Sequence, residues 1–353
     1  MIDFYRETRE RTSKVISISS NMRAIELRAF DGKFASLALV DKPVPRPANG
    51  QVLVRIAAAP INPSDLMFLR GMYIKKKLPV VAGFEASGIV VAAGSGFMTR
   101  LLFGKRVACV APYDGDGTWA EYMVTSANFC IPLRKNVSFE QGASLIVNPL
   151  TAWALMDMAK RGRHQAVIQT AAASALGKMI IRLGQRLVIP VINIVRRQEH
   201  AELLQSLGAK YALNSSASNF NDDLKKLCHD LQASLAFDAV AGEMAGRVLH
   251  AMPKQGRIII YGGLSEQPCL LDPRAFIFDD KHVDGFWLST WLQHRNPLSR
   301  VRTAMQMQKF LATDLKTEIR ARLPLKEVVN GLEQYTSGMT EGKILFIPNP
   351  NLV

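Results

Sequence analysis

Ala166-Val-Ile-Gln-Thr-Ala-Ala-Ala-Ser-Ala-Leu-Gly177 opens a stretch that runs on to Val191-Ile-Asn-Ile-Val-Arg-Arg197. A short β-branched run, Ala166 to Thr170, gives way to small residues ending at Gly177. A segment of helical period follows, marked by Met179, Ile180, Ile181, Leu183 and Leu187. The apolar run Val188 to Val195 is a second strand, so the stretch predicts a βαβ unit with Arg196 and Arg197 at its end.

In such a unit the small residues let the backbone approach a pyrophosphate, and the helix N-terminus offers free N–H groups and a partial positive charge. The usual wording is GxGxxG; here Ala171, Ser174 and Gly177 stand at the corresponding AxxGxxG positions, with Ser174 for the middle glycine. A small-residue turn also serves plain α/β packing. The end of the second strand tips the reading, because an NAD-binding chain places an acid there for the ribose 2′-hydroxyl. This chain has two arginines, whose planar forks suit a 2′-phosphate, so NADPH is the expected cofactor.

From Arg23 to Pro132 short strands alternate with Gly- and Pro-rich turns, which predicts an antiparallel, barrel-like domain. The expected strands are Ala24–Leu27, Ala35–Val40, Gln51–Ala58, Gly88–Ala92, Arg106–Val110 and Trp119–Val124. Phe139–Arg161 has helical period, interrupted at Asn148-Pro149. Beyond it strands and helices alternate as a doubly wound sheet requires: helices at Glu199–Leu207, Asn221–Leu231 and Glu243–Met252, strands at Leu235–Val240, Arg257–Tyr261 and His282–Phe286. Two amphipathic helices, Leu298–Leu311 and Leu325–Tyr335, precede a closing strand, Lys343–Pro348. The expected organisation is an extension, 1–22, a catalytic domain, 23–145, completed by 293–353, and a cofactor domain, 146–292.

At 353 residues, with 48% hydrophobic and 21% charged, the chain has the composition of a two-domain globular protein. No apolar run reaches the roughly eighteen residues a membrane span needs. The net charge of +14 comes from scattered cations, read as a solvated basic surface or as a handle for an anionic substrate. Neither a membrane nor nucleic acid is expected as a partner. Four cysteines without CxxC spacing read as reduced thiols, and a cytoplasmic location is expected. The six histidines show no metal spacing.

Gly83-Phe84-Glu85 with Gly88, Gly104-Lys105-Arg106-Val107, Gly117-Thr118-Trp119-Ala120-Glu121-Tyr122, the βαβ unit, Leu207-Gly208-Ala209, Tyr261-Gly262-Gly263 and Gly342-Lys343 succeed one another. In this order they resemble the medium-chain dehydrogenase/reductase superfamily from about Arg23 to Ile347. The resemblance implies an α/β chain, with a GroES-like β-rich catalytic domain and a doubly wound Rossmann domain. Its zinc-dependent members place a Cys before the Asp near Asp65 and a His before the Glu of the Glu85 motif. Ser64 and Phe84 stand there instead, and no four-cysteine lobe is present, so no metal is expected. Asn62-Pro63-Ser64-Asp65, Gly71-Met72-Tyr73, Val147-Asn148-Pro149-Leu150-Thr151-Ala152 and Gly285-Phe286-Trp287-Leu288 look like the zinc-free 2-enoyl thioester reductases; quinone oxidoreductases share the framework.

That resemblance implies reduction of an activated C=C, with Tyr73 as catalytic donor. Asn148 and Thr151 would lie near the nicotinamide, and Ala173, Ser174, Ala175, Leu176 and Gly177 would hold the pyrophosphate. Arg196 and Arg197 would hold the 2′-phosphate. Tyr261, Gly262, Gly263, Leu264, Phe286, Trp287 and Leu288 would line the channel, and Lys343 would reach the cofactor. Asn62 and Trp291 are expected in the substrate pocket, although both Trp287 and Trp291 also suit core or dimer contacts. The extra methyl at Ala175, where the family has Gly, narrows the approach to the phosphates. A homodimer through the edge strand at His282–Phe286 is expected. The alternatives are an NADPH:quinone reductase and a non-enzymatic NADPH- or RNA-binding protein on the same fold.

Overall fold

A computed structural model describes residues 18–353 apart from Ala312 and Asp314; most of the expected extension, residues 1–17, lies outside the described residues. The first part of the chain forms β1 (Asn21–Leu27), β2 (Leu37–Pro43), β3 (Gln51–Pro60), α1 (Pro63–Leu69), β4 (Val80–Val81), β5 (Glu85–Ala93), α2 (Phe97–Leu102), β6 (Arg106–Val110), β7 (Tyr122–Ser126) and β8 (Cys130–Pro132). Then come α3 (Phe139–Ala143) and α4 (Val147–Arg161). The alternating region is β9 (Val167–Gln169), α5 (Ala175–Leu187), β10 (Val191–Val195), α6 (Gln198–Ser206), β11 (Tyr211–Asn214), α7 (Phe220–Asp230), β12 (Leu235–Asp238), α8 (Gly242–Ala251), β13 (Arg257–Ile260), α9 (Pro273–Ile277) and β14 (His282–Gly285). The chain closes with α10 (Leu288–Gln293), α11 (Pro297–Leu311), β15 (Ile319–Leu323), α12 (Val328–Ser337) and β16 (Lys343–Phe346).

β9 to β14 form a six-stranded parallel sheet in the order β11-β10-β9-β12-β13-β14. The order reverses beside β9, so the ends of β9, β10 and β12 open on the crevice where doubly wound folds take ligands. The β-rich half contains a three-stranded sheet, β2-β1-β4, and a seven-stranded one, β15-β16-β3-β5-β6-β8 with β7 on β3. Within residues 21–132 every strand pair is antiparallel, as expected; β15 and β16, from the end of the chain, pair in parallel. α12 connects them, and a crossover helix returns the chain in the same direction.

The helical run is continuous where an interruption was expected. Asn148 and Pro149 lie in the first turn of α4, where proline has no intrahelical N–H bond to lose. The break falls just before, at residues 144–146. One core packs β1, β3, β5 and β6 around Trp119, Phe68 and Phe346, with Leu332 and Tyr335 of α12 closing it. A second packs α4 and α5 on the parallel sheet. Met307, Phe310, Leu311 and Leu315 join the second core, although residues 293–353 were expected with the first domain.

Candidate active site

Gly177 sits one turn into α5, and a Cβ there would lie 2.4 Å from the carbonyl oxygen of Ala172. No side chain fits, and the helix can start against the turn only because the residue is glycine. Ala171 has φ +49°, a conformation glycine adopts more easily. Ser174 supplies what a glycine would lack. As N-cap its Oγ accepts from the N–H of Gly177 at 3.1 Å, satisfying one of the donors a helix leaves free at its start and leaving earlier ones to face the cleft.

Behind this turn are polar side chains that sequence reasoning missed. Gln169 donates to the Gly177 carbonyl at 3.1 Å and to Asn193 Oδ1 at 2.7 Å, and Asn193 donates to the carbonyls of Val191 and Tyr211. They tie β9, β10 and β11 to α5 from inside the sheet. Asp238, at the end of β12, accepts from Thr170 Oγ1 at 2.6 Å and from the N–H groups of Val240 and Ala241 at 2.9 and 3.0 Å. Thr170 in turn accepts from Ala239 N–H. This bracket holds residues 239–241 against the turn. An Asp and a Thr at strand ends are the only sequence signal for it.

The turn faces a cleft of about 1780 Å³ that runs between the two halves of the molecule. Ala173, Ser174, Ala175 and Leu176 line it, as do Arg196 and Arg197 beyond β10, Tyr261 to Leu264 beyond β13, and Phe286 to Leu288 beyond β14. Asn148 and Thr151, both nearly buried, line it from α4. The two arginines are exposed, and Arg197 pairs with Glu199 at 3.2 Å. The hydroxyl of Tyr261 is buried without a hydrogen-bond partner among the described residues.

On the opposite wall, Tyr73 packs edge-on against Phe84, ring centroids 5.2 Å apart. Its hydroxyl accepts a hydrogen bond from the indole N–H of Trp287 at 2.9 Å. Trp287 also meets Tyr113 edge to face at 5.8 Å. Because the Trp287 N–H can only donate, the Tyr73 proton stays free for another acceptor. Burial pushes the phenol's pKa upward, so it remains protonated at neutral pH.

Beneath this wall is a buried ionic cluster. Glu85 accepts from Asn62 Nδ2 at 2.9 Å through one oxygen and from the N–H groups of Ile146 and Val147, at 3.2 and 2.9 Å, through the other. It thus caps the start of α4 from β5. Lys343 donates to the Ile61 carbonyl at 3.1 Å and to Asn62 Oδ1. Asp65 accepts from Asn62 N–H at 2.7 Å, while its second oxygen has no partner among the described residues. Desolvation pushes Asp65 up to about 7 and Glu85 upward, and pushes Lys343 down to about 8.

Four expected positions are therefore placed differently. Lys343 borders the cleft but is 2% exposed, its ammonium turned inward to Ile61 and Asn62 rather than out toward a cofactor. Asn62 is fully buried and off the cleft lining, because it joins Lys343 to Glu85. Trp291 lies under the guanidinium of Arg295, 4.4 Å from the ring centroid, and that arginine pairs with Asp157 at 2.6 Å, which anchors α10 to α4 instead of lining a pocket. Gly177 sits behind the turn it makes possible.

The chain is similar to known proteins over most of its length. Residues 48–135 match the alcohol dehydrogenase GroES-like domain, and residues 175–306 match the zinc-binding dehydrogenase family. The chain is 32% identical over 307 residues to the mitochondrial enoyl-[acyl-carrier-protein] reductase of Arabidopsis thaliana, covering 84% of this chain and 80% of that one. Its identity to the Homo sapiens enzyme of the same name is 34% over 256 residues, 70% of this chain and 68% of that one. A crystal structure from Mesorhizobium loti, provisionally named an NADPH:quinone reductase, is 35% identical and superimposes with a TM-score of 0.87, over 94% of this chain and 100% of that one.

The chain belongs to the medium-chain dehydrogenase/reductase superfamily.

Within the superfamily it falls in the enoyl reductase and quinone reductase branch. At the positions where zinc-dependent members of this superfamily hold the metal, the cleft is lined by the hydroxyl of Ser64 and the ring of Phe84, neither of which is a zinc donor. Among the described residues no three His, Cys, Asp or Glu side chains gather as a metal site. Cys109 is fully buried, and burial holds its thiol well above the usual range.

Proposed function

We propose that this medium-chain dehydrogenase/reductase reduces an activated C=C bond with NADPH, and that its substrate is a 2-enoyl thioester. The observation that carries the reading is the Tyr73 hydroxyl, held by Trp287 at 2.9 Å across the cleft with its own proton uncommitted. The curated relatives named enoyl-[acyl-carrier-protein] reductase support the substrate class.

The residues present suit the cofactor. A backbone approach that a Cβ at Gly177 would close, the free N–H groups at the start of α5 and the Arg196–Arg197 pair fit a pyrophosphate and a 2′-phosphate. Ala175 leaves the backbone less open than glycine would, and its N–H remains the donor. The buried, unpartnered hydroxyl of Tyr261 is a further polar atom for a bound group. When bound, NADPH supplies a hydride. Hydride addition at the β-carbon breaks the C=C π bond and places its electron pair on the α-carbon and the thioester carbonyl oxygen; Tyr73 donates a hydrogen bond to that oxygen, and a proton from the phenol or from water then adds at the α-carbon. Asn148 and Thr151, on the turn of α4 that Glu85 caps, would position the nicotinamide end.

The test is NADPH oxidation followed with a medium-chain 2-enoyl-CoA and with a small quinone. Turnover of the thioester supports the proposal. Turnover of the quinone alone assigns the chain instead to the quinone reductases, a reading that the Mesorhizobium loti neighbour favours.

A homodimer is part of the same proposal. β14 is the edge of the parallel sheet, and Leu270, Ile277 and Phe278 beside it are 63%, 69% and 70% exposed, an apolar patch suited to a second copy. Light scattering at micromolar concentration should give twice the chain mass; a monomer there would remove this part.

A further inference from the structure

At its far end the cleft opens between α2 and α11, and its lips are apolar. Phe97, Leu101 and Phe103, on or just beyond α2, are 76%, 52% and 52% exposed; Leu298, Val301 and Met305 of α11 are 71%, 52% and 56% exposed. The surface between them is continuous. α2 packs on residues 127–129, β8 follows, and Gln308 of α11 donates to the Pro132 carbonyl at 3.1 Å and accepts from Arg134 N–H at 2.7 Å. Met98, Phe129, Val301 and Met305 line the cleft itself, so apolar side chains of the rim continue inward beside Asn128, Arg300 and Gln308.

The charge on this face is one-sided. Residues 95–111, 126–138 and 286–311 contain no Asp or Glu. They carry Arg100, Lys105, Arg300 and Arg302, all exposed, together with Arg134 and Lys135. Large side chains standing out into solvent on both sides of an opening, with cations around them, are the pattern of a surface that lies in a lipid interface. Cations attract the anionic headgroups, and the apolar groups enter the acyl boundary. A soluble acidic protein would satisfy the cations but not bury two separated apolar lips.

We infer that this face docks the chain on an anionic lipid surface, so that a substrate with a hydrocarbon chain enters the cleft from the bilayer, the second half resting on the reductase activity proposed above. No helix among the described residues is long and apolar enough to cross a membrane, and docking of this kind needs none.

The test is co-sedimentation of the full chain with vesicles of phosphatidylcholine alone and of phosphatidylcholine mixed with phosphatidylglycerol, without cofactor or substrate. Binding is expected to be roughly tenfold or more tighter to the anionic vesicles. Phe97→Ser with Leu298→Ser should weaken it about tenfold through lost apolar burial, and Arg100→Ser with Arg302→Ser should also weaken it. None of these four side chains lines the cleft, so turnover of a short, water-soluble enone should survive in each variant. Absence of binding to either vesicle overturns the inference. So does binding that the serine pair at 97 and 298 leaves unchanged, which would be adsorption by net charge. Capture of an acidic carrier protein by this face, with vesicles ignored, would assign it to a protein and also overturn it. Because vesicle binding is read without turnover, an inactive enzyme that binds, or an active one that does not, separates this failure from failure of the reductase reading.

Discussion

On one side of the cleft, the groups proposed to hold the cofactor's phosphates come from one continuous piece of chain, residues 171–197, and most of them are backbone N–H groups or exposed guanidiniums. On the facing side, Tyr73 and Trp287 are 214 residues apart in sequence, and the cluster beneath them joins Lys343 to Asn62 across 281. The first wall tolerates a change of wording, because Ser174 can replace a glycine and still cap the helix. The second depends on side-chain identity, since in the ionic cluster the loss of one member leaves a buried polar group stranded.

Four variants probe this contrast, taken from the largest effect to the smallest. Lys343→Met leaves Glu85 and Asp65 buried with no cation beside them, and should lower stability by about 3–5 kcal/mol in urea unfolding. An unchanged midpoint would mean that the cluster does not join β16 to α1 and α4 as drawn here. Tyr73→Phe keeps the ring against Phe84 and removes the donor, together with the acceptor that the Trp287 N–H uses. Its kcat should fall roughly 10²- to 10³-fold, with the NADPH dissociation constant unchanged by fluorescence titration; an undiminished rate would take the phenol out of the chemistry.

On the other wall, Arg196→Ser with Arg197→Ser should weaken NADPH binding roughly tenfold to a hundredfold and leave NADH binding alone. Equal loss for both nucleotides, read by calorimetric titration, would place the pair elsewhere than at the 2′-phosphate. The smallest effect is a slope. Burial holds Asp65 at about 7, above the roughly 3.9 of an unfolded aspartate. The folded chain therefore binds the extra proton in that window, and stability contributed by Asp65 is present at low pH and lost as pH rises from about 4 to about 7. Asp65→Asn retains an oxygen for the Asn62 N–H and should flatten this decline in thermal midpoints. Parallel curves for the two proteins would remove Asp65 from the titration.

Much of the dinucleotide wall was legible beforehand. The order strand, turn, helix, strand, the need for Gly177 and the placement of Arg196 and Arg197 at a strand end follow from local period and residue size. Gln169, Asn193 and Asp238 were not legible, because each is polar within an apolar run and its partner lies in another strand. Lys343 was assigned to the cofactor on its place in a motif; in the folded chain the pull of Glu85 and Asp65 turns it inward. Trp291 was expected in the substrate pocket, with core or dimer contacts as the alternative; it packs under Arg295, which Asp157 holds from α4. The apolar lip at Phe97–Phe103 was not legible, since exposure is not a property of seven residues read alone.

What the sequence by itself determined is the set of elements and their kind: a β-rich half, a βαβ unit with a basic end, and the alternation that makes a parallel sheet. Those depend on periods of two and of 3.6 and on the few residues that can turn a chain, all readable over short distances. Which polar groups meet was decided only by tertiary structure. A buried hydrogen bond or ion pair is worth making only where desolvation has already been imposed by packing, and the packing that encloses Glu85, Lys343 and Tyr73 comes from opposite ends of the chain.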